Sequence, residues 1–391
     1  MTFYSRLKLR GKLVTLLLMF GIIPALVIFS IFQTHQNDYR QDRMRPLLEM
    51  ARSINDVIDR NLFERYGDVQ AFTLNQAVQN QSNWGSLAED NPLINAMNGY
   101  MTNYGIYQLM LVLDRSGNVV AVNTRTPQGK SLDTSTVLGK NFAEETWFKN
   151  ALEDKFMPGT SGLTGTAVEQ PRRIDIVGQL YDSDGLVIPF SAPIKNLAGE
   201  SVGVWANFAD FGLVEQILDT FYQQAKAEGM EELEIALINS QGVMLSDYDP
   251  MEGKDLKAKR DWTILGIEKI QDHFPQVQEV LNRKSGTVIT THEGNNHELA
   301  AGYAPSIGAL GFPGLGWAVV AQVPVKSIFS TLQGIVYTIE IAMLISALAI
   351  VGLGYLTGNS FARPLQQITE AMNLLSNNAT ERTLDLSLIH I

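Results

Sequence analysis

The sequence contains no cysteine. That excludes a disulfide framework, thiolate catalysis, iron–sulfur clusters and cysteine-ligated zinc. Basic residues are in short supply too: 30 Lys and Arg stand against 41 Asp and Glu, for a formal net charge of −11. Nucleic acid is therefore not an expected partner, since phosphate binding needs a basic patch. No P-loop, Rossmann fingerprint or H-E-x-x-H occurs, so a non-enzymatic chain is expected. His292 and His297 in THEGNNH have a spacing that suits a metal, but no clear third ligand accompanies them; a solvated hairpin tip is the expectation. The glycines at 308, 311, 314 and 316 lead into a strand-like run, GWAVVAQV, so no helix N-terminus is available for phosphate. Neither a metal nor a cofactor is expected.

What is present is uneven. The mean hydropathy of zero averages two apolar runs against a polar remainder. Leu13–Phe32 is a 20-residue run without charge, preceded by Arg6, Lys8, Arg10 and Lys12; its length predicts a first transmembrane helix with a cytoplasmic basic tail, residues 1–12. A second run, 334–357, predicts another span, with Tyr337 and Glu340 at its outer interface. Two such spans put residues 33–333 outside the membrane and 358–391 inside. The basic tail carries +4 and the last 34 residues −1, which leaves −14 for the stretch between.

Outside the spans, apolar residues recur at Leu47, Met50, Ile54, Val57, Ile58, Leu62, Tyr66, Val69 and Phe72. Steps of three and four predict a long stalk helix, assigned to 33–85, whose stripe calls for a core and a second copy: a homodimer. Beyond Pro92 the pattern turns to β-rich runs. Four Asx-x-x-Gly signatures, at Asp114–Gly117, Asp182–Gly185, Asn196–Gly199 and Asn239–Gly242, each predict a β-hairpin. The chain also repeats: LMLVLDRSGNVVAV resembles EIALINSQGVMLS, and FSAPIKNLAGESVGVWANF resembles GYAPSIGALGFPGLGWAVVAQV. The expected organisation is two α+β modules, 86–212 distal and 230–333 proximal to the membrane, joined by a helix over 213–229.

With GKNFAEETWFKNAL, SAPIKNLAGESVGVWANFADF and ARPLQQITEAMNLL in this arrangement, the chain resembles bacterial methyl-accepting chemotaxis proteins with a double Cache (tandem PAS-like) sensor domain. The resemblance implies two transmembrane helices, a small-molecule ligand in the distal module, and output to a chemotaxis adaptor and kinase through a C-terminal region beyond residue 391. A histidine kinase or diguanylate cyclase is the alternative output. Arg363, Pro364 and Leu365 resemble the start of a HAMP linker, here partial over 358–391, with Ile368, Ala371, Met372 and Leu375 as an apolar face.

In amino-acid-binding members an arginine two residues before the tryptophan grips the ligand carboxylate, and a strand aspartate holds the ammonium. Here those positions carry Glu145 and Phe208, or Asn207 in a register one residue off, while Trp147 and Phe148 remain as an aromatic pair. The departure implies a ligand other than a standard α-amino acid: a cation, or a molecule with an apolar face, meeting Glu145, Trp147, Tyr181 and Phe208. The irregular insert MPGTSGLTGTAVEQPRRIDIVGQLYDSDGL, with Arg172, Arg173 and Asp175, is the expected lid; Arg173 and Asp175 join the candidate ligand contacts. Asp210 is expected to cap the helix that starts near Leu213.

Overall fold

A computed structural model describes residues 9–160, 162–248, 260, 265–266, 282–291, 298–357, 360 and 363–386. His292 and His297 lie outside these described residues. The chain divides into two compact units: Met44–Ile328, and a second one made of Met1–Arg43 with Phe329–Ile391.

In the first unit the apolar stripe forms the C-terminal part of α1 (Leu9–Thr73). Leu47, Ala51, Ile54, Ile58, Leu62, Tyr66, Val69 and Phe72 are buried, whereas Val57 is exposed. Each buried large side chain contributes about 1.5–3 kcal/mol, so the tertiary contacts hold this helix rather than its own propensity. The helix ends at Thr73, not near 85. Asn75 and Asn80 use their side-chain oxygens to cap two short turns, α2 (Gln76–Gln79) and a 3₁₀ turn (Gln81–Asn83). Asn91 then caps α3 (Pro92–Tyr104), with Pro at the first position and Gly105 at φ 70° closing it.

Two antiparallel sheets follow. The first contains β1 (Tyr107–Asp114), β2 (Val119–Val122), β3 (Ala167–Val168), β4 (Arg172–Arg173), β5 (Leu186–Lys195) and β6 (Ser201–Asp210), in the order β2-β1-β6-β5-β3, with β4 also pairing β5. The second contains β7 (Glu234–Ile238), β8 (Met244–Tyr248), β9 (Gly286–Thr291), β10 (Glu298–Pro305) and β11 (Ala318–Pro324), in the order β8-β7-β11-β10-β9. Strand for strand the two orders are the same, and each is PAS-like: this is a tandem α+β architecture. The repeat reaches into detail. The register slips between Val112 and Leu113 in β1 and between Leu237 and Ile238 in β7, at equivalent places in the two hairpins.

Three of the Asx turns close hairpins as their spacing predicts. Asp114 Oδ1 accepts from Ser116 N–H and Asn118 N–H, and Gly117 takes φ 82°; Asn196 and Asn239 do the same for Gly199 and Gly242. The fourth, Asp182–Gly185, is no hairpin. It ends α5 (Asp175–Tyr181), with Asp182 itself at φ 47°, and Asp184 caps the entry to β5. The expected irregular lid is thus partly regular, since β3, β4 and α5 all fall within it. Helix α6 (Gly212–Ala227) joins the modules, and Asp210 Oδ1 accepts from its first N–H, that of Gly212, at 2.9 Å.

In the second unit, α1 contributes its N-terminal part and is joined by most of α7 (Val325–Thr357) and by α8 (Arg363–Leu386). Of two expected membrane spans, one meets the length and apolarity of a span among the described residues: Val336–Thr357, 22 residues with mean hydropathy 2.1, about 33 Å long. The apolar stretch of α1 is shorter, Met19–Ile31. At Gly21 a side chain would collide with Ile350 of α7, so glycine sets how closely the two helices approach.

Candidate functional site

Strand alternation decides which residues of the first sheet can meet a ligand. Leu109, Leu111 and Leu113 of β1, with Ala206 and Phe208 of β6, face one core. Their neighbours point the other way: Trp205 packs on Phe72 and Tyr100, from α1 and α3, and donates its indole N–H to Asn207 Oδ1 at 2.7 Å. Over the first face lies α4 (Thr146–Leu152), which packs Trp147 edge-on against Phe208 with ring centroids 5.3 Å apart. Ser191 Oγ on β5 ties α4 down through Trp147 O at 2.8 Å.

Between this sheet face, α4 and α5 is a cavity of about 310 Å³. Leu111, Phe142, Trp147 and Phe208 make its floor, and Ile174 and Ile176 extend the apolar surface. Lys140, Arg173, Asp175 and Gln179 form an exposed polar rim. Glu145 and Arg172 make one wall as an ion pair at 2.5 Å.

The structure brings five of the expected contacts to this cavity: Glu145, Trp147, Arg173, Asp175 and Phe208. Three stand elsewhere. Asn207 is fully buried on the opposite face of β6, because successive strand residues point to opposite sides. Phe148 is turned into the core under α4, edge-on to Trp147. Tyr181 ends α5 partly buried, its hydroxyl without a hydrogen-bond partner among the described residues and pushed up by burial. Sequence reasoning left out Leu111, Lys140, Phe142, Arg172, Ile174, Ile176 and Gln179. The Arg172-Arg173 doublet was visible in the sequence; that Arg172 reaches Glu145 depends on β4 pairing with β5, Arg172 opposite Val187.

That ion pair alters the electrostatic picture drawn from sequence. Glu145 was the expected anchor for a cation, yet Arg172 already answers its charge. Arg172 also meets Glu169 at 3.5 Å. Burial pushes Glu169 up from the usual carboxylate range, the Arg172 charge opposes this, and Glu145 adds to the rise. Arg173 Nε donates to Asp184 O at 3.1 Å. The cavity therefore offers an apolar, aromatic floor beneath a rim bearing both signs of charge, an arrangement suited to a small molecule with an apolar body and a charged or polar head. No group of three or more metal-ligating side chains occurs among the described residues.

No family model matches the chain, and no curated protein matches it. Several solved structures resemble it. The sensory domain of the Campylobacter jejuni chemoreceptor Tlp3 (CcmL) is 10% identical, over 76% of this chain and 99% of that one, with a TM-score of 0.49. The ligand-binding domain of the Pseudomonas fluorescens chemoreceptor CtaA, in complex with L-leucine, is 14% identical over 75% and 99%, with a TM-score of 0.46. That of the Pseudomonas aeruginosa amino acid chemoreceptor PctC, in complex with GABA, is 15% identical over 72% and 99%, with a TM-score of 0.45. The tandem PAS-like assignment stands on this chain's own strand pairing.

Proposed function

We propose that the chain is the sensing and membrane-crossing part of a double Cache chemoreceptor: an extracytoplasmic tandem domain that binds a small molecule in its first module and signals across the bacterial cytoplasmic membrane. The observation that carries this reading is the apolar-floored cavity in the first of two PAS-like modules, on a chain that also holds a helix of membrane length. A bound ligand changes the relative energies of two arrangements of the modules, and the membrane helices pass that bias inward. In this reading α1 also pairs with its counterpart in a homodimer, and the basic residues before Leu13 keep the N-terminus inside.

Arg363, Pro364 and Leu365 begin α8 as the first helix of a HAMP linker. Support comes from the exposure of Leu365, Ile368, Met372 and Leu375, an apolar face suited to partner helices. The output is a chemotaxis adaptor and kinase; a histidine kinase or diguanylate cyclase is the second reading. The coding sequence downstream of codon 391 distinguishes them: a long heptad region without catalytic motifs supports the first, and a catalytic domain overturns it.

The ligand, other than a standard α-amino acid, has an apolar body that covers Trp147 and Phe208, with its polar head at the rim. The experiment is a thermal-shift screen of the full chain in nanodiscs against amino acids, organic acids, amines and purines. A ligand at a hundred times its Kd stabilises by about 2.7 kcal/mol, and the shift should vanish in Phe208→Ala. Tight binding of ordinary L-amino acids would overturn the ligand class, and no stabilisation by any class would overturn the sensor reading.

A further inference from the structure

Two modules that share a signal need a contact that links the cavity of one to the exit of the other. Gln170, in the short link between β3 and β4, makes such a contact. Its Oε1 accepts from Trp317 Nε1 at 2.7 Å, and its Nε2 donates to Leu315 O at 2.9 Å. Both partners belong to the second module, just ahead of β11.

The neighbours of Gln170 belong to the cavity wall. Glu169 meets Arg172, Arg172 holds Glu145, and Arg172 and Arg173 line the cavity. Pro171 stands between Gln170 and Arg172, and its ring removes one of the free dihedrals through which their motions would decouple. On the other side of the hook, Trp317 is buried and packs edge-on against Phe211 at 6.2 Å. β11 begins at the next residue, lies between β7 and β10, and ends at Pro324; α7 starts at Val325 with no linker. A displacement of Trp317 therefore acts on a central strand that continues directly into the helix of membrane length.

Two other polar links between the modules, among the described residues, lack this combination. Thr160 N–H donates to Gly311 O at 2.8 Å, joining two loops that do not line the cavity. Arg260 binds Asp184 and Glu215, and that contact ends on α6 rather than on β11. Pulling Gln170 away would leave a buried indole N–H without its acceptor, so the lower-energy response to a shift of residues 169–173 is for Trp317 to follow.

We propose that Gln170 is the positioning residue that couples the cavity to the membrane helix: rearrangement of the Glu145–Arg172 pair moves the β3–β4 link, and Gln170 carries that motion to Trp317 and β11. The inference builds on the reading of the cavity as the ligand site, but its test needs no ligand, so either can fail alone. The chain has five tryptophans. The full chain in nanodiscs, labelled with 5-fluorotryptophan, gives one ¹⁹F resonance for each, and Trp317→Phe assigns that of Trp317.

The perturbation is Glu145→Gln, which breaks the ion pair without changing shape. The Trp147 resonance must respond in every background, since it shares the cavity. The Trp317 resonance should shift with native Gln170 and stay still in Gln170→Ala. Gln170→Met, which fills the same space without hydrogen bonds, should behave like Gln170→Ala and replaces it if the alanine variant does not fold. A Trp317 shift of the same size with and without the Gln170 amide, or no shift in the native background, overturns the proposal.

Discussion

Ser306 Oγ lies 2.7 and 2.9 Å from the two carboxylate oxygens of Asp59, a residue of α1 that is only 1% exposed. The N–H of Gly308 adds a third bond, to Asp59 Oδ2 at 2.9 Å. Helix α1 is thereby fastened to the loop between β10 and β11 through one buried acid. Burial drives this carboxyl above the usual carboxylate range, against the pull of the Ser306 and Gly308 bonds, and the nearby Asp56 charge adds to the rise.

The pH dependence follows from that direction. A folded-state pKa above the unfolded one means that the folded chain holds the proton more tightly. Asp59 then favours folding most below about pH 3.9, and the contribution fades as pH rises toward the folded-state value. The melting temperature of the native chain minus that of Asp59→Asn should fall as pH rises from about 4 to about 7. A difference that grows with pH would mean that the shift runs the other way.

Arg260 carries the opposite sign. Its guanidinium bonds Asp184 Oδ1 at 2.6 Å and both oxygens of Glu215, at 2.7 and 2.8 Å. Burial acts to raise Asp184, but the Arg260 and Leu186 N–H bonds hold it below the usual range. Arg260→Met should cost about 1–3 kcal/mol in urea melts near neutrality, because two half-buried acids lose the donor they share. A depressed acid stabilises above its unfolded pKa and loses that contribution on acidification. The gap between Arg260→Met and the native chain should therefore narrow at low pH.

Two glycines should respond oppositely to alanine. At Gly302 on β10 a Cβ would collide with the backbone of Leu47 and Leu48, so Gly302→Ala forces α1 off the second sheet and should cost about 1–3 kcal/mol or more. Gly67 sits inside α1 with nothing within 4 Å of an added Cβ. Gly67→Ala should stabilise by about 0.5–1 kcal/mol through helix propensity. Thermal denaturation of both variants checks the pair.

Floor and rim of the cavity should separate in the same assay. Trp147 is 1% exposed, and Trp147→Ala should cost about 3–5 kcal/mol. Asp175 stands exposed on the rim, and Asp175→Ala should change stability by no more than about 0.5 kcal/mol. Equal losses in both would mean that the rim is structural as well.

The features legible in the sequence are local ones. An Asx side chain folding back on N–H groups two and four residues ahead, with glycine in the left-handed region, needs only a few neighbouring residues, and it marks the hairpins at Asp114, Asn196 and Asn239. The helix stripe from Leu47 to Phe72 is equally local, since period alone defines it. Asp182–Gly185 misleads because the same turn chemistry also ends a helix. β3 and β4 are two residues each, too short to show any alternation, so the meeting of Arg172 with Glu145 had no sequence signal. Gln170 and Trp317, 147 positions apart, had none either. The choice between Asn207 and Phe208 needed the phase of β6, which its pairing with β1 and β5 fixes.

Helix α1 meets the second module first. Arg52 and Asn55 bond Ser285 Oγ and Ala304 O, and Asp59 bonds Ser306; only afterwards do Tyr66 and Phe72 reach the first module. The first module is thus encoded between the two pieces of the second, as an insertion. During synthesis from the N-terminus, the helix face at Leu47–Asp59 must wait for β10 and β11, some 250 positions later, while the first module already has its helix beside it. A chain that ends before β10 therefore leaves that apolar face without the strands that cover it.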